Sequence, residues 1–255
     1  VTLAPPVPAR VQLCGPVVVE FDGRRWESAL RGRQGRLLFA YLVLNRHRTC
    51  GRQELSQALW GEDLPPAAEA GLNAVVSKLR KSLWPGAVQG RASLRVQLGD
   101  ESWVDVEAAE QAAHRAESRV ALQDWTHAWG AALAALFICE RELLPHDDAE
   151  WIDQQRARLW DIRLRALEAY SLAALGTAGT ELPAAVRAGR KLVRLVPLRE
   201  TGYQVLMRAL ALQGNVAEAL AVHADLCRVL REELGVSPSP ATQSVYEELL
   251  HTTGS

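Results

Sequence analysis

The sequence predicts a mainly α-helical chain with a small β component, divided into two parts. Three observations carry this. Over residues 11–106 the apolar pattern runs sheet, three helices, hairpin, and from Glu107 onward it is helical almost throughout. The charge divides the same way: residues 1–104 hold 14 Lys and Arg against 9 Asp and Glu, residues 105–255 hold 15 against 21, and the total is -1. A length of 255 residues favours two domains over one.

Residues 1–10 lack the basic-then-apolar order of a secretion signal and read as a short flexible leader. Val17-Val18-Val19-Glu20-Phe21 is β-branched and apolar. Asp22-Gly23 is a two-residue hairpin signal, and Arg24-Arg25-Trp26-Glu27 can return as the partner strand. Residues 33–45 form a strongly apolar helix that Asn45 can close. A second, shorter helix over 53–60 places Leu55 and Leu59 four apart, and Gly61-Glu62-Asp63-Leu64-Pro65-Pro66 is a loop.

The third helix, within residues 71–84, organises the front half. Leu72, Val75, Val76, Leu79 and Leu83 form one apolar stripe at i, i+3, i+4, i+7 and i+11. The opposite face carries Asn73, Ala74, Ser77, Lys78 and Lys81, with Arg80 at its flank and no acid, and Pro85-Gly86 ends the helix. Residues 93–98 and 102–106 flank Gly99-Asp100 and predict a second hairpin, with Arg91 and Arg95 on or near it.

Sheet, three helices and hairpin is the build of a winged helix-turn-helix module, in which the third helix enters a DNA groove and the hairpin is the wing. A solvated amphipathic surface helix would carry the same face, so the helix alone does not decide. The cluster of eight arginines from Arg24 to Arg52, with one acid, Glu27, adds the footprint of a polyanion partner. Agreement between order, lengths and charge favours the DNA-facing reading.

The back half predicts helices over 108–119 and 123–136. A long one starts at Pro145-His146-Asp147-Asp148 and ends near 175, with Ile152, Leu159, Ile162, Ala166, Tyr170 and Ala173 as its stripe. Residues 176–182 are a break. Leu175-Gly176 and Leu212-Gln213-Gly214 each close a helix. An Ala-rich helix follows each, over 183–196 and 216–234, and a last short helix spans 242–250. The small-residue run Ala217-Glu218-Ala219-Leu220-Ala221 favours an all-α tetratricopeptide-like domain over a plain helical bundle.

No segment is long and apolar enough for a bilayer, so no membrane association is expected. Cys14, Cys50, Cys139 and Cys227 share no metal spacing and read as buried residues of a reduced compartment, giving a cytoplasmic, nucleoid-associated location. There is no phosphate-binding or dinucleotide glycine motif. His146 beside Asp147-Asp148 reads as a helix start rather than a metal site. Neither an enzyme, a cofactor nor a metal is expected. Trp60 and Trp84, at helix ends, read as packing anchors.

These features resemble the SARP-type transcriptional activators of actinomycetes, which combine an OmpR-like winged helix with a bacterial transcriptional activator domain. The matches are Arg52-Gln53-Glu54-Leu55 leading to Ala58-Leu59-Trp60-Gly61-Glu62-Asp63, Val76-Ser77-Lys78-Leu79-Arg80-Lys81, and Trp151-Ile152 with Arg156-Ala157-Arg158-Leu159. Leu206-Met207-Arg208-Ala209-Leu210, Gly214-Asn215-Val216-Ala217-Glu218-Ala219-Leu220 and Glu232-Glu233-Leu234-Gly235-Val236-Ser237-Pro238 complete the set. The resemblance implies domains at 11–106 and 107–255 and a function in activating transcription from double-stranded DNA. Asn73, Ser77 and Lys81 would face base edges, Lys78 and Arg80 bases or phosphates, Arg52 a phosphate, and Arg91 and Arg95 an adjacent groove or backbone. Glu62 and Asp63 would touch RNA polymerase, and the helical domain would hold a second protomer or the polymerase. As the sequence ends soon after the helical region, no ATPase or phosphopeptide-binding module of the larger relatives is expected within it.

The chain departs from the family pattern at Glu69-Ala70, where an Arg-Asn pair is usual, at Ala92-Ser93-Leu94, where a Gly-Tyr is usual, and at Gly51, where the helix cap is usually serine. These departures motivate a second reading, a helical-repeat interaction scaffold whose winged helix no longer binds DNA specifically.

Overall fold

The computed structural model describes residues 8–30 and 32–253. Among them, one compact unit comprises the chain up to Ala108 together with Ile138–Trp160, and a second comprises Ala109–Phe137 together with the residues from Asp161 onward. This grouping differs from a linear division at residue 106.

The first unit runs β1 (Ala9–Gln12), β2 (Val18–Phe21), β3 (Arg24–Arg25), a 3-10 turn over Glu27–Leu30, α1 (Arg33–Leu44), β4 (Cys50–Gly51), α2 (Arg52–Trp60), α3 (Ala68–Ser82), β5 (Val88–Gln89), β6 (Ser93–Val96) and β7 (Trp103–Val104). The first sheet has the order β3-β2-β1-β7. The expected hairpin at Asp22-Gly23 is present. Both residues have positive φ, 51° and 68°, as a two-residue turn matched to strand twist requires. Most of the expected leader lies outside the described residues, and Ala9 and Arg10 are already strand. The Ala9 N–H donates to Ser102 Oγ at 2.7 Å, and the Arg10 guanidinium lies 4.7 Å from the Trp103 ring centre.

The expected hairpin over 93–106 is not what forms. β6 pairs with β5 on one side, Val88 opposite Val96, and with β4 on the other, Cys50 opposite Leu94. β7 instead joins the first sheet, parallel to β1. The tip is Gly90-Arg91-Ala92, because Gly90 has a φ of 97° and a Cβ there would sit 1.9 Å from the Ser93 carbonyl oxygen. Gly99-Asp100 carries the stronger composition signal, but it is only a connection.

α1, α2 and α3 pack on one core that includes Leu37, Phe39, Leu42, Leu55, Leu59, Leu72, Val76 and Leu79, all 4 % exposed or less. Full burial of each such side chain contributes about 1.5–3 kcal/mol. Trp84 packs as expected, stacked on Phe21 at 4.4 Å. α2 is capped from its own first turn: Glu54 Oε2 accepts the Gly51 N–H at 3.1 Å, and Tyr41 donates to Oε1 at 2.7 Å. Arg48 pairs with the same carboxylate. Glycine at the cap supplies no side chain, so only the Glu54 half of a capping box is present. Arg48, with Tyr41 and the Gly51 N–H, holds the Glu54 carboxyl down to about 2.

Residues 138–160 complete this unit. Gly15 N–H donates to the Glu142 carbonyl at 2.7 Å, and Leu144 N–H to the Leu13 carbonyl at 3.0 Å. Asp147, 2 % exposed, takes a two-pronged contact from Arg36 at 2.5 and 2.8 Å. That pairing corrects the expected start of the long helix: Asp147 turns inward to Arg36 instead of capping, and the helix begins at Glu150. Trp151 donates its indole N–H to the Ala58 carbonyl at 3.0 Å.

Asp105 closes the sheet. Wholly buried, its carboxylate accepts N–H bonds from Leu13 (2.9 Å), Cys14 (2.8 Å) and Val106 (3.0 Å). Burial raises this carboxyl above its ordinary range, and the three N–H groups oppose the rise. Burial likewise pushes the Cys14 thiol up. Cys14, Cys50 and Cys139 are buried and Cys227 is partly so.

The helices that supply the second unit are α4 (Asp105–Ala121), α5 (Trp125–Cys139), α6 (Glu150–Thr177), α7 (Leu182–Leu195), α8 (Glu200–Leu212), α9 (Val216–Leu234) and α10 (Pro240–Thr253). Its main core joins α6 to α10 through Ala174, Ala185, Met207, Ala219 and Val245. Small residues set the spacing. A Cβ on Gly189 would lie 3.0 Å from Leu206 Cβ, and one on Gly202 2.8 Å from Leu192 Cβ, so α7 and α8 touch backbone to backbone. α9 ends as expected at Gly235, in the left-handed region at φ 68°. Among the described residues no helix is long and apolar enough to cross a membrane.

Replacing Asp105 with Ala strands three buried N–H groups and is expected to lower unfolding free energy by about 2–4 kcal/mol in urea titrations, with Asp105→Asn losing less. Glu54 has a folded pKa below its ordinary 4.5, so its contribution is present above that pH and is lost as pH falls toward about 2. Thermal melts of Glu54→Gln should therefore lack that part of the acid slope, an effect that solvent screening limits to about 1 kcal/mol.

Candidate nucleic-acid interface

α3 presents its faces as the periodicity requires. Leu72, Val76, Leu79 and Leu83 are buried, Val75 is half-buried at the edge of the stripe, and Asn73, Ala74, Ser77, Lys78, Arg80 and Lys81 are exposed. The helix starts earlier than expected, at Ala68, so Glu69 stands in its first turn, where the helix dipole favours an acid. Gly71 is closely packed: a Cβ there would sit 3.1 Å from the Trp60 ring, which seats the N-terminal half of α3 on the end of α2.

Two arginines expected to meet nucleic acid are turned onto the protein. Arg52, at the start of α2 and largely covered, donates from Nη2 to Asn73 Oδ1 at 2.5 Å and from Nη1 to the Arg91 carbonyl at 3.1 Å. Its Nε lies 3.7 Å from Glu69 Oε1. One guanidinium therefore joins α2, α3 and the hairpin tip. Arg80 donates from Nε to the Val88 carbonyl at 3.1 Å and from Nη2 to the Gly90 carbonyl at 2.5 Å. Arg80 thus buttresses the β5–β6 hairpin from the last turn of α3.

The remaining expected residues lie on α3, β6, the β5–β6 tip and the α2–α3 loop. Lys78 and Lys81 on α3, and Arg91 at the hairpin tip, are exposed and form no ion pair among the described residues. Arg95 on β6 is exposed and donates to Gln89 Oε1 at 3.4 Å. Glu62 and Asp63 lie exposed in the α2–α3 loop. Sequence reasoning places Glu69 ahead of the third helix, not in its first turn, and does not find Gly90 as the hairpin tip. Gly90 had a signal, a glycine one residue before Arg91, but it was outweighed by Gly99-Asp100. Chemically, the surface offers amide, hydroxyl and ammonium donors on a helix, flanked by a cationic β-turn. Among the described residues no cluster of three His, Cys, Asp or Glu could hold a metal.

A model of the bacterial transcriptional activator domain matches residues 104–250. The regulatory protein AfsR of Streptomyces coelicolor is 35% identical over 247 residues, which cover 94% of this chain and 24% of AfsR. AfsR of Streptomyces griseus is 33% identical, covering 85% of this chain and 22% of that protein. The chain thus spans about a quarter of the length of these two relatives. The transcriptional regulatory protein EmbR of Mycobacterium tuberculosis is 26% identical over 258 residues, covering 93% of this chain and 62% of EmbR. The structure of Mycobacterium tuberculosis EmbR in complex with a low-affinity phosphopeptide matches with a TM-score of 0.81 at 24% identity, over 96% of this chain and 66% of that one, a likeness of fold. With the family model spanning more than half of its residues, the chain belongs to the bacterial transcriptional activator domain family, as a SARP-type member.

Proposed function

We propose that the chain is a DNA-binding transcriptional activator that reads repeated promoter sites as a pair of protomers and contacts RNA polymerase. The observation that carries this is the exposed face of α3 carrying Asn73, Ser77, Lys78 and Lys81, with no acid beyond Glu69 in the first turn, beside a hairpin tip bearing Arg91. A helix of this kind fits a major groove. Of the expected site residues, Lys78, Lys81 and Arg91 form no ion pair among the described residues, and they supply the contacts to phosphates and base edges.

Arg52 and Arg80 act as positioning residues. A guanidinium only donates, so the Asn73 atom it faces must be the oxygen, and the amide N–H groups are left to point outward. An asparagine that reads adenine needs both its oxygen and its nitrogen. Asn73 with its oxygen engaged favours an acceptor edge instead, guanine N7 and O6 or thymine O4. Arg80 fixes where the wing enters relative to α3.

Glu62 and Asp63 form the acidic, exposed loop that suits a basic polymerase surface. The second unit supports a protein partner as well. α5 exposes Trp129, Leu133 and Phe137, spaced four apart on one face, and such a stripe suits docking of a second protomer. The function needs no catalytic group, cofactor or membrane, and it places the protein in the cytoplasm with the nucleoid.

The scaffold reading has two observations in its favour: Arg52 and Arg80 are engaged within the protein, and Glu69, with its side chain 82 % exposed, puts an anion in the first turn of α3. Binding-site selection from random duplexes separates the two. Lys81→Ala is expected to weaken selected-site binding by about 1–2 kcal/mol and to reduce the salt slope by about one unit. Arg52→Ala should leave the salt slope nearly unchanged while shifting one base position toward adenine. No enrichment of any duplex, even at low salt, would establish the scaffold reading.

A further inference from the structure

The second unit contains a groove of its own. It lies between α7, α8 and α9 and has a volume of about 890 Å³. Arg187, Arg190, Lys191 and Arg194 line it from α7 at i, i+3, i+4 and i+7, which is one face of one helix. Arg228 lines it from α9, and Asp225 is the acid on its wall. Val193 and Val222, both partly exposed, provide an apolar floor.

Part of this charge is answered within the fold. Arg190 pairs with Glu218 at 2.5 Å, and Arg228 with Glu232 at 3.2 Å and Asp225 at 3.6 Å. Arg187 and Arg194 are exposed and form no ion pair among the described residues. Like charges at three- and four-residue spacing repel and weaken the helix that carries them. A cationic stripe kept against that cost, over an apolar floor, suits acids supplied from outside.

We infer that this groove binds an acidic peptide segment carrying an apolar anchor. Arg187 and Arg194 are seven residues apart, about 10 Å along the helix. Two carboxylates three residues apart on a peptide in the polyproline-II conformation, with three residues per turn and a rise of about 3.1 Å per residue, lie on one face and span about 9 Å. Each then meets one guanidinium in a charge-assisted pair, and an apolar residue between them settles on Val193 and Val222. A duplex is too wide and stiff to reach an apolar floor in a concave groove, and a small anion would leave most of the volume empty. The inference does not depend on DNA binding by α3.

Selection from a displayed library of random peptides on the full chain tests it. Enriched peptides should carry two acids about three residues apart with an apolar residue between them. A labelled synthetic copy of the enriched peptide should lose at least tenfold in affinity on Arg187→Gln/Arg194→Gln, and Arg187→Lys/Arg194→Lys should retain most of it. The Gln variant should melt at or above the parent temperature, since repulsion on α7 is relieved, and should bind selected duplex as the parent does. The inference is overturned by no enrichment, by enriched peptides without acids, by unchanged affinity in the Gln variant, by equal loss in the Lys variant, or by a loss of duplex binding in place of peptide binding.

Discussion

The carboxylate of Asp105 takes three main-chain N–H groups, and the N-terminal unit is built outward from that capture. Two of these donors, Leu13 and Cys14, directly follow β1, and Asp105 directly follows β7. The bond therefore brings the two ends of the winged module side by side. β1 is then enclosed, with β2 antiparallel on one edge and β7 parallel on the other. Beyond it, the Leu13 carbonyl and the Gly15 N–H are taken by Leu144 and Glu142. A carboxylate in so dry a place is tolerated because its bonds are complete. The same completeness makes it hard to replace.

The arginines of this unit divide by task. Arg36, Arg52 and Arg80 reach acceptors on the protein and set the angles between elements. Lys78, Lys81 and Arg91 form no ion pair among the described residues and give the α3 and hairpin-tip surface positive charge. Arg suits the first task because its planar fork holds two acceptors at once, whereas a Lys ammonium is a mobile point charge. The two cations on the exposed face of α3 without an internal partner are both lysines, and the chain has only three lysines in all. A rigid frame of guanidiniums thus supports a more adaptable contact surface.

How much of this was readable beforehand depended on how local each cause is. The stripe of α3 follows from spacing within one helix, and its exposed and buried faces fall where the period puts them. Asp22-Gly23 is a turn whose chemistry is complete in two residues. The wing was misplaced because β4 and β5 are two residues long and carry almost no pattern, while Gly99-Asp100 looks the better turn. β1 was hidden in a proline-rich start. Asp147 looked like a helix cap because its partner, Arg36, is 111 residues away. Arg52 and Arg80 were readable as basic residues near the reading helix, but their targets are carbonyls and an amide that only the folded chain brings within reach. The general rule is that sign and periodicity are visible in sequence, whereas the object of a long side chain is not.

Residues 138–160 pair with the strand extension at Leu13–Gly15 and clasp Arg36, so the front unit is discontinuous along the chain. A gene fusion or exchange that cut after β7 would separate a sheet extension from its hydrogen-bond partner and a buried guanidinium contact from its carboxylate. Recombination between relatives would have to carry both stretches together to move this module intact. The winged helix here is a module in space, and its inheritance is tied to a stretch of sequence that lies within the family's helical region.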